Sequence, residues 1–262
     1  MRDLKFAQAE GPLGESIRYS LWQKGKRFRP TLCLLWAEAF GISPQRVLPL
    51  AMAVEMLHTY SLIHDDLPCM DDDDVRRGEP TNHKIFGEDM ALLAGDALQA
   101  EAFAVIAGGH VHDAKIGMHL VQLLAEAVGS QGMVGGQAVD IRAEGKVLSR
   151  DELLQMHAMK TGALIRLASE GVAVVAGLPL AKQQCMRRFG EELGLAFQLA
   201  DDLLDSSEQK LEPGSFPALV GWAAAQEMLS QVSKQAFALL CELGIEKGPL
   251  HDLVQFNLER RN

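Results

Sequence analysis

The chain predicts an all-α protein, and three observations carry that expectation. Period-two alternation of apolar and polar residues is nearly absent. Alanine, leucine, methionine, glutamine and glutamate dominate, and all are good helix formers. Apolar residues recur at spacings of three and four through a series of long segments.

In chain order, the periodicity predicts helices over residues 31–40 and 47–64, parted by Gly41-Ile42-Ser43-Pro44. After Arg77-Gly78-Glu79-Pro80 comes 90–106, which ends before Gly108-Gly109, and then 116–128. Two patterns, 150–159 and 162–176, flank Lys160-Thr161-Gly162, which reads as a break. Gly177-Leu178-Pro179 precedes 182–205, and Pro213-Gly214 precedes 218–242. Segments 90–106 and 162–176 are apolar nearly all round, which predicts a central layer covered by other helices. No break is long enough for an interdomain linker, and no fixed-period repeat appears, so residues 1–262 read as a single helical domain.

The net charge of −10 argues against a general nucleic-acid binder, which needs a basic face against phosphates. Anionic substrates would have to be met by local basic residues or bound cations. Hydrophobic residues make up 48% of the chain, enough for a sizeable core. Cys33, Cys69, Cys185 and Cys241 are widely spaced and form no CxxC pair, so reduced thiols in the cytoplasm are expected. The apolar stretch 171–180 falls short of the roughly 18 residues of a membrane span, and no membrane partner is expected. Met1-Arg2-Asp3 begins no apolar signal region.

The chemistry concentrates in two acidic clusters. Asp65-Asp66-Leu67-Pro68-Cys69-Met70-Asp71-Asp72-Asp73-Asp74 places six carboxylates within ten residues, directly after an apolar helix. Such a run repels itself unless it is solvated or bound to cations. An EF-hand is excluded, because no glycine stands sixth in frames starting at Asp71 or Asp72. In the second cluster, Asp201-Asp202-Leu203-Leu204-Asp205, Asp201 and Asp205 share a helix face, with Gln198 a turn earlier. Hard oxygen ligands favour magnesium or calcium, and magnesium keeps one or two carboxylates beside substrate phosphates. Facing clusters would clamp a diphosphate between metals.

Basic residues would complete such a site. Lys24-Gly25-Lys26-Arg27-Phe28-Arg29-Pro30 offers four cations before a helix, and arginine forks suit phosphate oxygens. Arg76-Arg77 follows the first acidic cluster, Lys160-Thr161 is a third candidate, and His58 lies seven residues before Asp65 on nearly the same helix face.

The lysine–arginine motif at 24–30, the stretch from His58 through the first acidic cluster to Arg76-Arg77-Gly78, Ala94-Gly95-Asp96-Ala97-Leu98, Gly135-Gly136-Gln137-Ala138-Val139-Asp140, Lys160-Thr161-Gly162 and Phe197-Gln198-Leu199-Ala200-Asp201-Asp202-Leu203-Leu204-Asp205 together resemble the trans-prenyl diphosphate synthases. The likeness runs over about residues 14–205 and is strongest to the bacterial farnesyl type. It implies a bundle of about ten or more helices around a deep central cavity, as a homodimer using three magnesium ions. By motif, Asp65, Asp66, Asp71, Asp201, Asp202 and Asp205 would serve the metals. Arg76, Lys160, Thr161 and Gln198 would contact the allylic diphosphate, and Lys26, Arg29, His58 and Arg77 would hold isopentenyl diphosphate. Tyr60 and Ser61, five and four positions before the first aspartate, would floor the product cavity. An aromatic residue at the earlier position resembles enzymes that stop at farnesyl diphosphate.

The chain departs from the pattern twice. The first helix reads as shortened. After Asp205 the family carries a glycine–lysine loop with an aspartate and further lysines, whereas here only Lys210 precedes Pro217. That segment reads either as a short loop or as one from which a mobile stretch is missing. Four rival readings follow: a geranylgeranyl synthase, a terpene cyclase on the same fold, a non-catalytic regulatory subunit, and a solvated acidic loop of no chemical consequence. The intact second aspartate motif disfavours the cyclase, and both intact motifs disfavour the subunit.

Overall fold

The computed structural model describes residues 8–143 and 145–260. The residues read above for a signal region lie outside those described. The protein is all-α as expected, with thirteen α-helices among the described residues. They are α1 (Gly11–Trp22), α2 (Phe28–Ala39), α3 (Pro44–Asp65), α4 (Asn82–Phe86), α5 (Glu88–Gly109), α6 (Ala114–Val128), α7 (Met133–Ala143), α8 (Arg150–His157), α9 (Ala163–Val175), α10 (Leu180–Leu204), α11 (Phe216–Val220), α12 (Trp222–Glu242) and α13 (Pro249–Glu259). The strands β1 (Val75–Arg76) and β2 (Glu79–Pro80) form a small antiparallel hairpin that the sequence pattern did not predict. Its turn residues, Arg77 (φ +57°) and Gly78 (φ +82°), have the two positive φ values of a type I′ connection.

Contacts group the chain into two compact units, the first made of Met1–Thr31 with Leu48–Val121, the second of Leu32–Val47 with Gln122–Asn262. In the first unit α1 is tied to α4 by buried polar groups and to the hairpin by an exposed hydrogen bond. Ser16 donates to Asn82 Oδ1 at 2.7 Å, Asn82 Nδ2 donates to Ser20 Oγ at 2.8 Å, and Tyr19 donates to the Pro80 carbonyl at 2.7 Å. α5 buries Ala91, Ala94, Gly95, Leu98, Ala102 and Ile106, while Leu92 and Leu93 stay 48% and 46% exposed. It is therefore covered on one face only, which corrects the expectation of a helix buried all round: small residues meet its neighbours and the leucines point elsewhere. Among the described residues α5 is also the one helix long and apolar enough to cross a membrane by length and composition. The stretch 171–180 is not, and α5 escaped notice because Asp96 and Glu101 interrupt its apolar run. A partly buried helix of a soluble core passes the same test.

The core of the second unit is the packing of α10 against α9 and α12. α9 is buried along almost its whole length, as its composition predicted. α10 approaches closely through two glycines: a Cβ at Gly190 would lie 2.6 Å from Arg166 Cα, and one at Gly194 2.8 Å from Gly162 Cα. Trp36 of α2 donates to Ser169 at 3.0 Å and meets Phe189 edge-on at 5.0 Å. α8 begins with a full capping box between Ser149 and Glu152. Residues 158–162 form a π-helical turn that runs on into α9, so the expected break at Lys160 is a widened turn instead. The stretch 218–242 is divided, because Gly221 (φ +89°) ends α11 and starts α12.

Candidate active site

In the first unit the acidic motif is shaped by backbone bonds at the end of α3. Asp66 N–H still bonds Leu62 O in helical fashion (3.1 Å), and Leu67 N–H bonds His64 O (3.1 Å). Pro68 cannot continue the helix. Met70 N–H then bonds Leu67 O (2.8 Å), and Asp71 N–H returns to Asp65 O (2.9 Å). Asp72 takes a left-handed conformation (φ +53°), which aspartate tolerates better than most residues. Residues Asp65 and Asp71, six apart in sequence, are thus neighbours. Asp65 is half-buried and Asp71 exposed.

Asp66 differs from both. It is buried and accepts from Arg76 Nε at 2.5 Å, while Arg76 Nη2 donates to Asp73 at 2.7 Å. Burial pushes the Asp66 carboxyl above its ordinary range, and Arg76 opposes that shift. Asp74, on the surface, pairs with Lys84 at 2.6 Å, whose hydrogen bond holds its carboxyl low.

Beside the acids lies a cationic cluster. Arg77 reaches back from the hairpin turn, so close to Gly25 that a Cβ there would lie 2.7 Å from its Nη1. Its Nη2 stands 3.4 Å from His58 Nε2. Burial, then Arg29, Arg77, Arg27 and Arg76 in that order, push the His58 imidazole well below its ordinary value, so it is neutral at physiological pH. Lys26 is exposed on the loop before α2. Arg27 does not join the outward-facing cations: it bonds Glu55, a buried acid of α3 that the sequence reading had not singled out. Tyr60 is buried, edge-on to His64 at 5.7 Å, and burial pushes its phenol up to about 12, with Gln99 drawing it back. Ser61 turns its hydroxyl to His58 O at 2.9 Å.

In the second unit Lys160 and Thr161 project from the π-helical turn. Lys160 Nζ donates to Asp140 of α7 at 2.5 Å. Thr161 donates to Gln198 Oε1 at 2.9 Å, and Gln198 Nε2 donates to Asp202 Oδ1 at 2.9 Å. Asp202 Oδ2 accepts the Phe216 N–H at 2.8 Å. Gln198 therefore serves Asp202, four residues on, and not the Asp201–Asp205 face expected from the sequence. Asp201 pairs with Arg260 at 2.8 Å. The Arg260 guanidinium also donates to Phe197 O and lies 4.5 Å over the Phe197 ring. Asp205 caps α10 and is exposed.

Asp66 and Asp202, both read as metal ligands, share a character the sequence did not reveal: each is buried and already bound to a protein donor. Among the described residues, no three His, Cys, Asp or Glu side chains gather as a ready-made metal cage. After Asp205 the chain makes a tight turn, with Ser207 N–H bonding Lys210 O (2.7 Å) and Glu212 N–H bonding Ser206 Oγ (3.1 Å). The sequence reading missed Glu55, Asp140 and Arg260. Asp140 had a signal, since it ends the glycine-rich motif at 135–140; the other two had none beyond their charge.

Comparison with known proteins places these features in context. A family model described as polyprenyl synthetase matches residues 10–214. Farnesyl diphosphate synthase of Geobacillus stearothermophilus is 42% identical over 89% of each chain. The enzyme of the same name from Bacillus subtilis is 41% identical over 92% of this chain and 86% of its own. A chloroplastic geranylgeranyl pyrophosphate synthase of Catharanthus roseus is 42% identical over 95% of this chain and 74% of its own. Among solved structures, an FPP/GFPP synthase from Zymomonas mobilis superposes with a TM-score of 0.86 at 36% identity, covering 97% and 92% of the two chains. A geranyltransferase from Legionella pneumophila gives 0.88 at 32% identity, covering 95% and 87%.

Proposed function

The chain belongs to the polyprenyl synthetase family, and from that premise we propose that it joins isopentenyl diphosphate head-to-tail to dimethylallyl or geranyl diphosphate, giving farnesyl diphosphate. The observation that carries the reading is the return of Asp71 N–H to Asp65 O beside the arginine cluster at His58. It sets two acidic residues for a cation next to the Arg29 and Arg77 guanidiniums for an anion.

Carboxylates are hard donors, and magnesium needs only one or two of them where phosphate oxygens complete its shell. Asp65 and Asp71 in the first unit, and Asp201 and Asp205 in the second, fit that requirement. Asp66 and Asp202 hold the two motifs in shape. Magnesium, when bound, stabilises the charge that develops on the departing diphosphate. The chain's own residues bind and orient. Lys160, Thr161 and Gln198, with Arg76, are assigned to the allylic substrate; Lys26, Arg29, Arg77 and His58 are assigned to isopentenyl diphosphate. A neutral His58 offers a hydrogen bond without adding charge. In the reaction the allylic C–O bond breaks, a new C–C bond forms, and the condensed chain loses a proton.

Farnesyl length is supported by buried Tyr60, whose ring fills space that a longer chain would need. A homodimer is supported by the uncovered Leu92–Leu93 face of α5, and a reducing cytoplasmic setting by the four free cysteines. The test is direct: the purified protein is supplied with magnesium, isopentenyl diphosphate and each allylic starter in turn, and product length is measured. Farnesyl diphosphate as the main product supports the reading. Hydrocarbon released from farnesyl diphosphate alone would support cyclisation, and no turnover with any starter would support a regulatory subunit.

A further inference from the structure

We propose that Arg27 is a positioning residue for isopentenyl diphosphate, clasped by Glu55 so that Lys26 and Arg29 on either side of it are presented to the anion. The inference rests on the functional reading above and adds a residue pair to it.

The loop between α1 and α2 has a problem that its sequence creates. Four cations, Lys24, Lys26, Arg27 and Arg29, stand within six residues and repel one another. Arg27 also takes a left-handed backbone (φ +49°), which a residue with a side chain adopts only when its surroundings enforce it. The enforcing bonds are all on the Arg27 side chain. Its guanidinium donates to the Glu55 carboxylate, to Leu21 O at 2.9 Å and to Gln23 O at 2.5 Å. Leu21 lies in the last turn of α1, where carbonyls lack helical donors and a cation is favourable. The backbone carbonyl of Arg27 accepts Thr31 N–H at 3.0 Å in the first turn of α2. One residue therefore closes α1, starts α2 and fastens both to α3.

Glu55 is committed to this role. Its side chain is 2% exposed, and its second oxygen, Oε2, is buried without a hydrogen bond. A buried carboxylate is tolerated only against a charge, which Arg27 supplies and the nearby Arg77 reinforces. Glu55 stands one turn before His58 on α3, so the clasp anchors the loop next to the imidazole and guanidiniums assigned to the same anion. Lysine at position 27 keeps the charge but lacks the planar fork that reaches a carboxylate and two carbonyls at once.

The test uses the full chain with Arg27→Lys, Glu55→Gln and the paired Arg27→Met/Glu55→Met. KM for isopentenyl diphosphate should rise about tenfold or more in all three, the effect of losing a charge-assisted hydrogen bond that positions the site. KM for the allylic substrate and kcat should move far less. The paired apolar variant leaves no buried carboxylate without its charge partner, which keeps it folded enough to assay, and it should still bind isopentenyl diphosphate poorly. Equal rises in both KM values, or a paired variant that recovers its KM with its stability, would overturn the proposal. Calorimetry with inorganic diphosphate, without magnesium, gives a second readout. If the parent turned over no allylic starter, the functional reading would fall; diphosphate affinity lost on Arg27→Lys would still support the clasp, and unchanged affinity would sink it.

Discussion

Gly136→Ala tests how tightly Lys160 is held. Gly136 lies on α7 beneath the π-helical turn, and a Cβ there would sit 2.4 Å from Lys160 N, 2.8 Å from Lys160 Cα and 2.9 Å from Met159 Cβ. Ordinary contact begins near 3.4 Å, so α7 and the turn must part by about 1 Å. Two of the three atoms belong to helical backbone and cannot rotate away. Overpacking of this kind costs about 1–3 kcal/mol. For a chain of this size that lowers the melting temperature by about 2–12 °C. Lys160 would move with its backbone and strain its 2.5 Å bond to Asp140. A group misplaced by about 1 Å can lower turnover about a hundredfold. Differential scanning fluorimetry and steady-state kinetics with the allylic substrate measure both effects. Gly108→Ala is the control: nothing lies within 4 Å of its Cβ position, and helix propensity predicts a gain of about 0.5–1 kcal/mol. A Gly136→Ala protein that melts and turns over like the parent would refute the packing argument.

Asp65→Ala and Asp201→Ala should each lower kcat by about a hundredfold or more, through lost stabilisation of the leaving group, and should weaken magnesium binding seen by calorimetry; near-parent rates in both variants would remove the two motifs from the reaction. Asp202→Asn leaves an amide facing either Gln198 Nε2 or the Phe216 N–H, costing about 1–3 kcal/mol; thermal unfolding should show this, and an unchanged midpoint would mean that the contact carries no weight. Tyr60→Ala should lengthen the product, and an unchanged product distribution would take Tyr60 out of the cavity floor. Because the pKa of His58 is lowered in the folded protein, the unfolded chain takes up its proton first as pH falls. The resulting loss of stability should begin below about pH 7 and deepen towards pH 5. Urea unfolding across that range should be flatter for His58→Gln, and parallel curves would place the pH dependence elsewhere.

The acidic motifs were legible because each is a local contrast, carboxylates closing an apolar helix, and the spacing of Asp201 and Asp205 follows from helical geometry alone. Position within the motifs was less legible. Asp65 and Asp66 are adjacent in sequence, yet one ends a helix half-exposed while the other turns inward to Arg76, and only the return of the chain through Asp71 decides which. Long-range partners were invisible: Glu55 is 28 residues from Arg27, and Asp140 is 20 from Lys160. Four helices escaped notice for local reasons, and one of them, α4, is only five residues long. α7 begins Met-Val-Gly-Gly, and two glycines blunt its pattern. α1 and α13 are short, although proline in their first turns was a usable signal.

The π-helical turn between α8 and α9 bears on how this stretch tolerates change. An ordinary helix advances about 100° per residue, so residues 158–162 carry one residue more than a regular turn would hold. Removing one of them would restore a regular turn of about the same sweep, so α8 and α9 would keep their relative facing. The Ser149–Glu152 cap and the buried side of α8 would keep their directions, and the change would fall on Lys160 and Thr161, which the widened turn carries. A one-residue deletion in this segment should therefore be better tolerated by the fold than one in the middle of α9, while costing the turn its side-chain placement.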